Sequence, residues 1–157
     1  MRERDFELLY TAEAEPLFAF LAYRTGDRAL AEDLLADTFE RALRARHRYD
    51  PDRGSERTWL YAIALNLLRD THRRSQAQAR AFERIVAQPA SGPWEAVERR
   101  DDLQRALATL SAEEREAIAL RFGADLSVPE IARLLRVPLT TVEGRVYGAL
   151  RKLRERL

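Results

Sequence analysis

Apolar residues recur at intervals of three and four through almost all of this chain, and no stretch alternates apolar with polar positions as a half-buried strand does. The pattern predicts an all-α fold. Residues 5–25, DFELLYTAEAEPLFAFLAYRT, read as a first helix that buries Phe6, Leu9, Leu17, Phe20 and Leu21, with Pro16 marking a start or a kink. Thr25, Gly26 and Asp27 supply its stop and the next cap. A second helix, 28–46, turns Ala31, Leu34, Leu35, Phe39, Ala42 and Leu43 inward. Before the third lies a turn-rich segment of Asp50, Pro51, Asp52 and Gly54, closed by Ser55. Ser55 is a good N-cap because its hydroxyl accepts an orphan amide of the first turn, so this helix is expected to begin near Glu56. Leu60, Ile63, Ala64, Leu67 and Leu68 form its buried stripe, which leaves Arg57, Tyr61, Asn66, Arg69 and Arg73 facing outward.

Around 88–93 the apolar stripe lapses into Gln, Pro, Ala, Ser and Gly, the composition of a linker. The chain is therefore expected to form two small helical domains, 1–86 and 96–157, joined by a flexible linker at 87–95. In the second, Leu103, Ala106, Leu107 and Leu110 repeat along one helix. Ser111-Ala112-Glu113-Glu114 is a capping box, opening a helix expected to bury Ala117, Ile118 and Leu120 to Phe122 and to end at Gly123. Ser127 to Glu130 is another, opening a short helix with Ile131, Leu134 and Leu135 inward. Arg136-Val137-Pro138-Leu139 is the tight connection to a last helix expected near Thr140, where Thr140 and Glu143 have the spacing of a third box. Val142, Val146, Ala149, Leu150, Leu153 and Leu157 form its stripe. Two short helices joined by a tight turn, the second one basic, is the helix-turn-helix arrangement, whose second helix enters the DNA major groove. Ile131, Ala132, Val137, Val142 and Val146 stand where such a unit needs small or branched apolar side chains.

A hydrophobic content of 46% is too high for a disordered chain, and the absence of cysteine excludes a disulfide framework or a thiolate metal site. His47 and His72 are isolated, and there is no metal-spaced cluster or glycine-rich phosphate loop, so no enzyme activity, metal or cofactor is expected. Apolar runs fall far short of the roughly 20 residues that span a bilayer, and the acidic start MRERDFELL is wrong for a signal peptide. A cytoplasmic protein without membrane insertion is expected. The net charge of +1 conceals segregation: 27–40 holds five acids against one arginine, 41–48 holds four arginines and His47 with no acid, and 145–157 holds five cations against Glu155. Asp33, Asp37 and Glu40 fall at i, i+4 and i+7, a stripe that repels itself by a few tenths of a kcal/mol per pair and so is not there for helix stability. A docking face for a basic partner and a merely solvated face are both open readings of it. The outer face of 56–74 also reads two ways. Its cations, aromatic ring and amide suit phosphates, stacking and base edges, and the solvated side of an ordinary core helix has the same composition.

Three segments share a pattern with one known family. TGDRALAEDLLADTFERALR, RGSERTWLYAIALNLLRDTHRR and LSAEEREAIALRFGADLSVPEIARLLRVPLTTVEGRVYGALRKLRERL resemble, in this order, parts of regions two and four of bacterial RNA polymerase sigma factors of the extracytoplasmic-function subfamily, minimal relatives of sigma-70. The resemblance covers nearly all of the chain except the linker. It implies a subunit that docks on core RNA polymerase, through the clamp helices of the largest subunit and the flap, and directs initiation at bipartite promoters. Glu32, Asp33, Asp37 and Glu40 would be the docking face. Arg57, Thr58, Trp59, Tyr61, Asn66, Arg69 and Arg73 would read single-stranded minus-ten DNA, with the loop from Tyr49 to Ser55 helping to hold a flipped base. Trp59 also reads as plain core, whereas Asn66, an amide beside a buried stripe, needs a partner that a base edge supplies. Thr140, Thr141, Glu143, Gly144, Arg145, Tyr147, Gly148, Arg151 and Lys152 would meet the minus-thirty-five duplex. An anti-sigma factor is a further partner the resemblance implies.

Region four departs from the family pattern, in which cations commonly occupy the positions of Glu143 and Gly148. Lost phosphate contacts weaken binding, so Glu143 is either mainly a capping residue, able also to accept from a cytosine amino group, or a mark of weak or unusual minus-thirty-five reading. The two glycines of this helix lower its propensity by about 1 kcal/mol each relative to alanine, and close approach of backbone to DNA would be one reason for them. A stand-alone helix-turn-helix regulator, and a sigma-like protein with lost minus-thirty-five reading, remain alternatives at this level.

Overall fold

The computed structural model describes residues 1–82 and 98–157, and the expected linker at 87–95 lies outside the described residues. Every regular element described is helical: α1 (Glu3–Thr25), α2 (Arg28–Arg44), α3 (Glu56–Phe82), α4 (Glu98–Ala108), α5 (Ala112–Ile118), α6 (Val128–Leu135) and α7 (Leu139–Arg156). They fall into two compact units, one within Met1–Ala90 and one within Ser91–Leu157. Among the described residues no helix is long and apolar enough to cross a membrane.

In the first unit α1, α2 and α3 pack on one another around Leu17, Leu21, Ala31, Leu34, Leu60, Ala64 and Leu68. Gly26 ends α1 in the left-handed conformation, its N–H donating to Ala22, and Asp27 caps α2 by accepting from the amides of Ala29 and Leu30. Pro16 lies inside α1 rather than at its start, on the exposed side where the carbonyl it leaves without a helical donor can be hydrated. Leu43, expected inside, is 39% exposed, and Thr38 is buried instead. The hydroxyl of Thr38 donates to the Leu34 carbonyl at 2.6 Å, which removes the cost of burying it. Phe39 anchors an aromatic cluster with Phe6 and Tyr10, at centroid distances of 6.3 and 4.8 Å.

In the second unit both serine capping boxes form, with Ser111 and Glu114 opening α5 and Ser127 and Glu130 opening α6. After α5 the chain widens into one π-helical turn, Ala119–Gly123. A wider turn shifts the later side chains out of the 3.6-residue phase. Leu120 is therefore fully buried as expected, whereas Phe122 is 56% exposed, with the Arg121 guanidinium 5.2 Å from its ring centre. The third box does not form. Pro138 occupies the cap position of α7, no side chain caps it, and its carbonyl receives the amide of Thr141 at 3.0 Å. Leu157, expected in the stripe of α7, is 69% exposed at the helix end.

Candidate functional site

The start of α3 is held by a closed loop. Ser55 caps the helix as expected, accepting the Thr58 amide at 3.1 Å and sharing a hydrogen bond with its hydroxyl at 2.9 Å. The Tyr49 hydroxyl donates to the Gly54 carbonyl at 2.9 Å, and the Tyr49 ring lies 5.5 Å from that of Trp59. Burial, and then Glu56 and Asp50, push the Tyr49 phenol above its ordinary value, so it remains a hydrogen-bond donor at neutral pH. An open cleft of about 500 Å³ runs beside this loop, lined by Met1, Arg2, Asp5, Tyr49, Pro51 and Glu56.

At about 100° per residue, the side chains predicted to face outward from α3 divide between two sides of the helix. Trp59, Asn66 and Arg73 repeat every seven residues, with Ala62, Arg69 and Asp70 between them, along the side away from the core. Asn66, Arg69 and Arg73 are exposed, Trp59 is half-buried, and Arg73 pairs with Asp70 at 3.2 Å. Because Asn66 is exposed, water can satisfy its amide, and the expectation that burial would force a partner on it does not hold.

Arg57 and Tyr61 take the opposite side. Tyr61 is fully buried, its ring 5.5 Å from that of Phe20 on α1, so the expectation that it faces outward is corrected. Its hydroxyl has no hydrogen-bond partner among the described residues, and burial, then Glu13, raise its phenol above the ordinary range while Arg57 opposes them. The Arg57 guanidinium reaches Glu13 of α1 at 2.6 Å, where the carboxylate is only 5% exposed. Arg57 is thus a strut between helices.

On α2 the side chains of Glu32, Asp33, Asp37 and Glu40 are all exposed, as the acidic stripe predicted. Glu40 pairs with Arg44 one turn later at 2.6 Å, leaving Glu32, Asp33 and Asp37 as the less compensated part. Among the described residues no group of three acids or histidines could hold a metal ion.

The turn between α6 and α7 is built as a helix-turn-helix requires. Arg136 adopts the left-handed conformation at φ 58°, and the Val137 amide donates back to Ala132 at 3.1 Å. Ile131, Ala132, Val142 and Val146 are buried and fix the two helices against each other. Thr140, Gly144, Tyr147 and Arg151 then share the outward row of α7, with Thr141, Arg145, Gly148 and Lys152 on one flank and Glu143 on the other. A Cβ at Gly144 would meet nothing within 4 Å, so its backbone is open to close approach. Glu143, five residues into the helix, caps nothing.

Sequence comparison accounts for both units. The Sigma-70 region 2 family matches residues 9–78, and the Sigma-70 region 4 family matches residues 100–153. The RNA polymerase sigma factor CarQ of Myxococcus xanthus is 35% identical over 97% of this chain and 88% of its own length. The chain belongs to the RNA polymerase sigma factors. The extracytoplasmic-function sigma factor SigX of Bacillus subtilis is 29% identical over 99% of this chain and 84% of its own. In fold the chain is similar to the sigma factor RpoE of Bartonella quintana, solved with its anti-sigma factor NepR, at a TM-score of 0.82 over 98% of this chain and 96% of that one, with 24% identity. This sigma factor, of the extracytoplasmic-function type, is therefore a promoter-recognising subunit of RNA polymerase with the two DNA-binding regions of that type.

Two acids of this sigma factor make contacts between helices that were not assigned from the sequence. Glu13 was legible, because Leu9, Glu13, Leu17 and Leu21 fall four apart and place a carboxylate in the buried row of α1. Glu114 was recognised as a cap but not as a tie to α7. Its Oε1 accepts from the Ser111 amide at 3.0 Å and from Lys152 Nζ at 2.7 Å. A Cβ at Gly148 would lie 3.2 Å from its other oxygen, so the glycine gives this carboxylate room.

Lys152, and after it the Ser111 amide, hold the Glu114 carboxyl below its usual range, with burial opposing. A depressed folded value means that the stabilisation is complete above the ordinary carboxylate value of 4.5 and is lost as pH falls through the folded value. Wild type should therefore unfold at a higher temperature than Glu114→Gln at neutral pH, with the gap closing below about pH 4. Backbone amides of α5 followed during melting would report it, and a gap that persists in acid would show that the charge is not its source.

Proposed function

We propose that the outer row of α3, Trp59, Asn66, Arg69 and Arg73, reads the single-stranded minus-ten element, and that the outward face of α7 reads the minus-thirty-five duplex. The acidic face of α2, Glu32, Asp33, Asp37 and Glu40, docks on the clamp helices of the polymerase largest subunit, and the second unit meets the flap. Residues 1–86 and 96–157 are the two working domains. The observation that carries the minus-ten assignment is the division of α3 into a packed side and an accessible side bearing a ring, an amide and two guanidinium groups. Extruding a base costs a few kcal/mol of stacking, which a ring and edge hydrogen bonds can return. The cleft beside Tyr49 is placed to take that base, and the carboxylates of Asp5 and Glu56 would accept from a base amino group, which thymine lacks. Thr58 contributes by fixing the cap, and Arg57 and Tyr61 by bracing α3 from within.

On α7, Thr140, Thr141, Gly144, Arg145, Tyr147 and Arg151 are the proposed contacts, and Glu143 is placed to accept from a cytosine amino group. The protein acts as a non-catalytic specificity subunit in the cytoplasm, and a protein inhibitor of the kind seen bound to RpoE is a further partner. Asn66→Ala should slow open-complex formation about tenfold, the loss of one base-edge contact, while leaving affinity for core polymerase unchanged. Permanganate footprinting and a core-binding assay on the same preparation test this. An equal fall in core binding would make Asn66 structural.

A further inference from the structure

One cation of α7, Lys152, is ion-paired within its own unit. Lys152 shares the flank of Arg145 and lies at the end of α7 that packs beside the start of α5. Its ammonium sits 2.7 Å from Glu114 Oε1, the same oxygen that receives the Ser111 amide. The Glu114 side chain is 12% exposed and that of Lys152 47%, so the carboxylate is fixed and the lysine leans onto it. Gly148, one turn before Lys152, leaves the carboxylate room, since a Cβ at that position would lie 3.2 Å from Oε2.

We propose that Glu114 withholds Lys152 from the DNA backbone, so that α7 engages the duplex with one phosphate contact fewer than its sequence carries. The inference rests on the reading of α7 as a duplex-binding helix and adds a restraint to it. Phosphate contacts supply sequence-independent affinity, and withholding one lowers attachment to random DNA while leaving base contacts intact. Glu114 is then a positioning residue that biases the free protein away from bulk DNA, so that duplex engagement depends more on base reading and on polymerase. Glycine at 148 suits this geometry, because a side chain there would crowd Oε2 and the carboxylate would have to shift by a few tenths of an ångström.

The test uses the full chain and a mixed-sequence DNA duplex, with binding measured from about 50 to 200 mM salt. Glu114→Gln is the informative variant, because glutamine still completes a capping box with Ser111 while losing the charge that holds Lys152. Its log–log salt slope should steepen by about 0.9, the value of one phosphate contact. Lys152→Met should flatten the slope by about that amount in the Glu114→Gln background and by less than half of it in wild type. Circular dichroism of each variant must match wild type. Equal effects of Lys152→Met in both backgrounds, or an unchanged slope in Glu114→Gln, would overturn the proposal. A chain that shows no salt-dependent duplex binding in any variant would instead remove the duplex-reading role of α7, and this restraint with it.

Discussion

Reversing Asp33 and Asp37 to arginine should lower the affinity of this sigma factor for core polymerase by about a hundredfold, or near 3 kcal/mol, without unfolding the first unit. Both side chains are exposed on the outer face of α2, so no core contact is lost. The substitutions remove two acids that repel each other at i, i+4 and install two cations that do the same, so helix stability changes little. In the proposed docking role, by contrast, attraction would become like-charge juxtaposition, which costs several kcal/mol across two positions. Salt should shrink the difference, because exposed charges are screened within about 10 Å at 0.1 M. Competition of labelled and variant chains for core polymerase, with thermal unfolding as a control, measures it. An affinity within threefold of wild type would mean the stripe is only solvated.

Arg57→Ala should destabilise the first unit by about 2 kcal/mol and lower its melting temperature by roughly 10 °C. The substitution strands Glu13, whose carboxylate is 5% exposed and receives the guanidinium at 2.6 Å. Breaking a fully buried pair costs 3–5 kcal/mol, and the smaller figure allows for the 39% exposure of Arg57, which screens the attraction. Glu13→Gln should cost less, because the guanidinium left behind is wet enough to be hydrated. Converting both residues to Met should recover most of the loss, since removing both partners leaves no unpaired charge. Differential scanning calorimetry of the three variants decides it. If Arg57→Ala melts with wild type yet fails to open promoters, the arginine is a DNA contact, as the sequence resemblance implied, and the strut is incidental.

The Arg57–Glu13 pair marks what spacing along one helix leaves open. Helix boundaries were legible because they depend on neighbours: Ser55, Ser111 and Ser127 each cap the helix that follows, and Gly26 with Asp27 separates α1 from α2. The burial of Ile131, Ala132, Val142 and Val146 followed from their spacing. What spacing could not reveal was which side of α3 a polar group serves, because that depends on what another helix presents to it. Tyr61, expected outward, is buried against Phe20, whereas Arg57 stays partly exposed while its guanidinium is tied to Glu13. Phe122 was misplaced for a different reason: one π-helical turn breaks the periodicity on which its burial was inferred. The expected cap at Thr140 gave way because Pro138 had already begun α7.

The outer row of α3 also has a length. Trp59, Asn66 and Arg73 stand seven residues apart, and at 1.5 Å per residue successive members are separated by about 10 Å. Nucleotides stacked as in duplex DNA advance by about 3.4 Å along a strand and those of an opened strand by at least as much, so each interval matches at most about three of them and the row at most about six. Used in this way α3 is a measuring stick, with Ser55 as its zero mark. Its divisions survive a change of residue type but not a change of residue number: one amino acid inserted after Asn66 would turn Arg69 and Arg73 by about 100° around the axis. Promoter recognition by this protein would then fail through misregistration even with every chemical group still present.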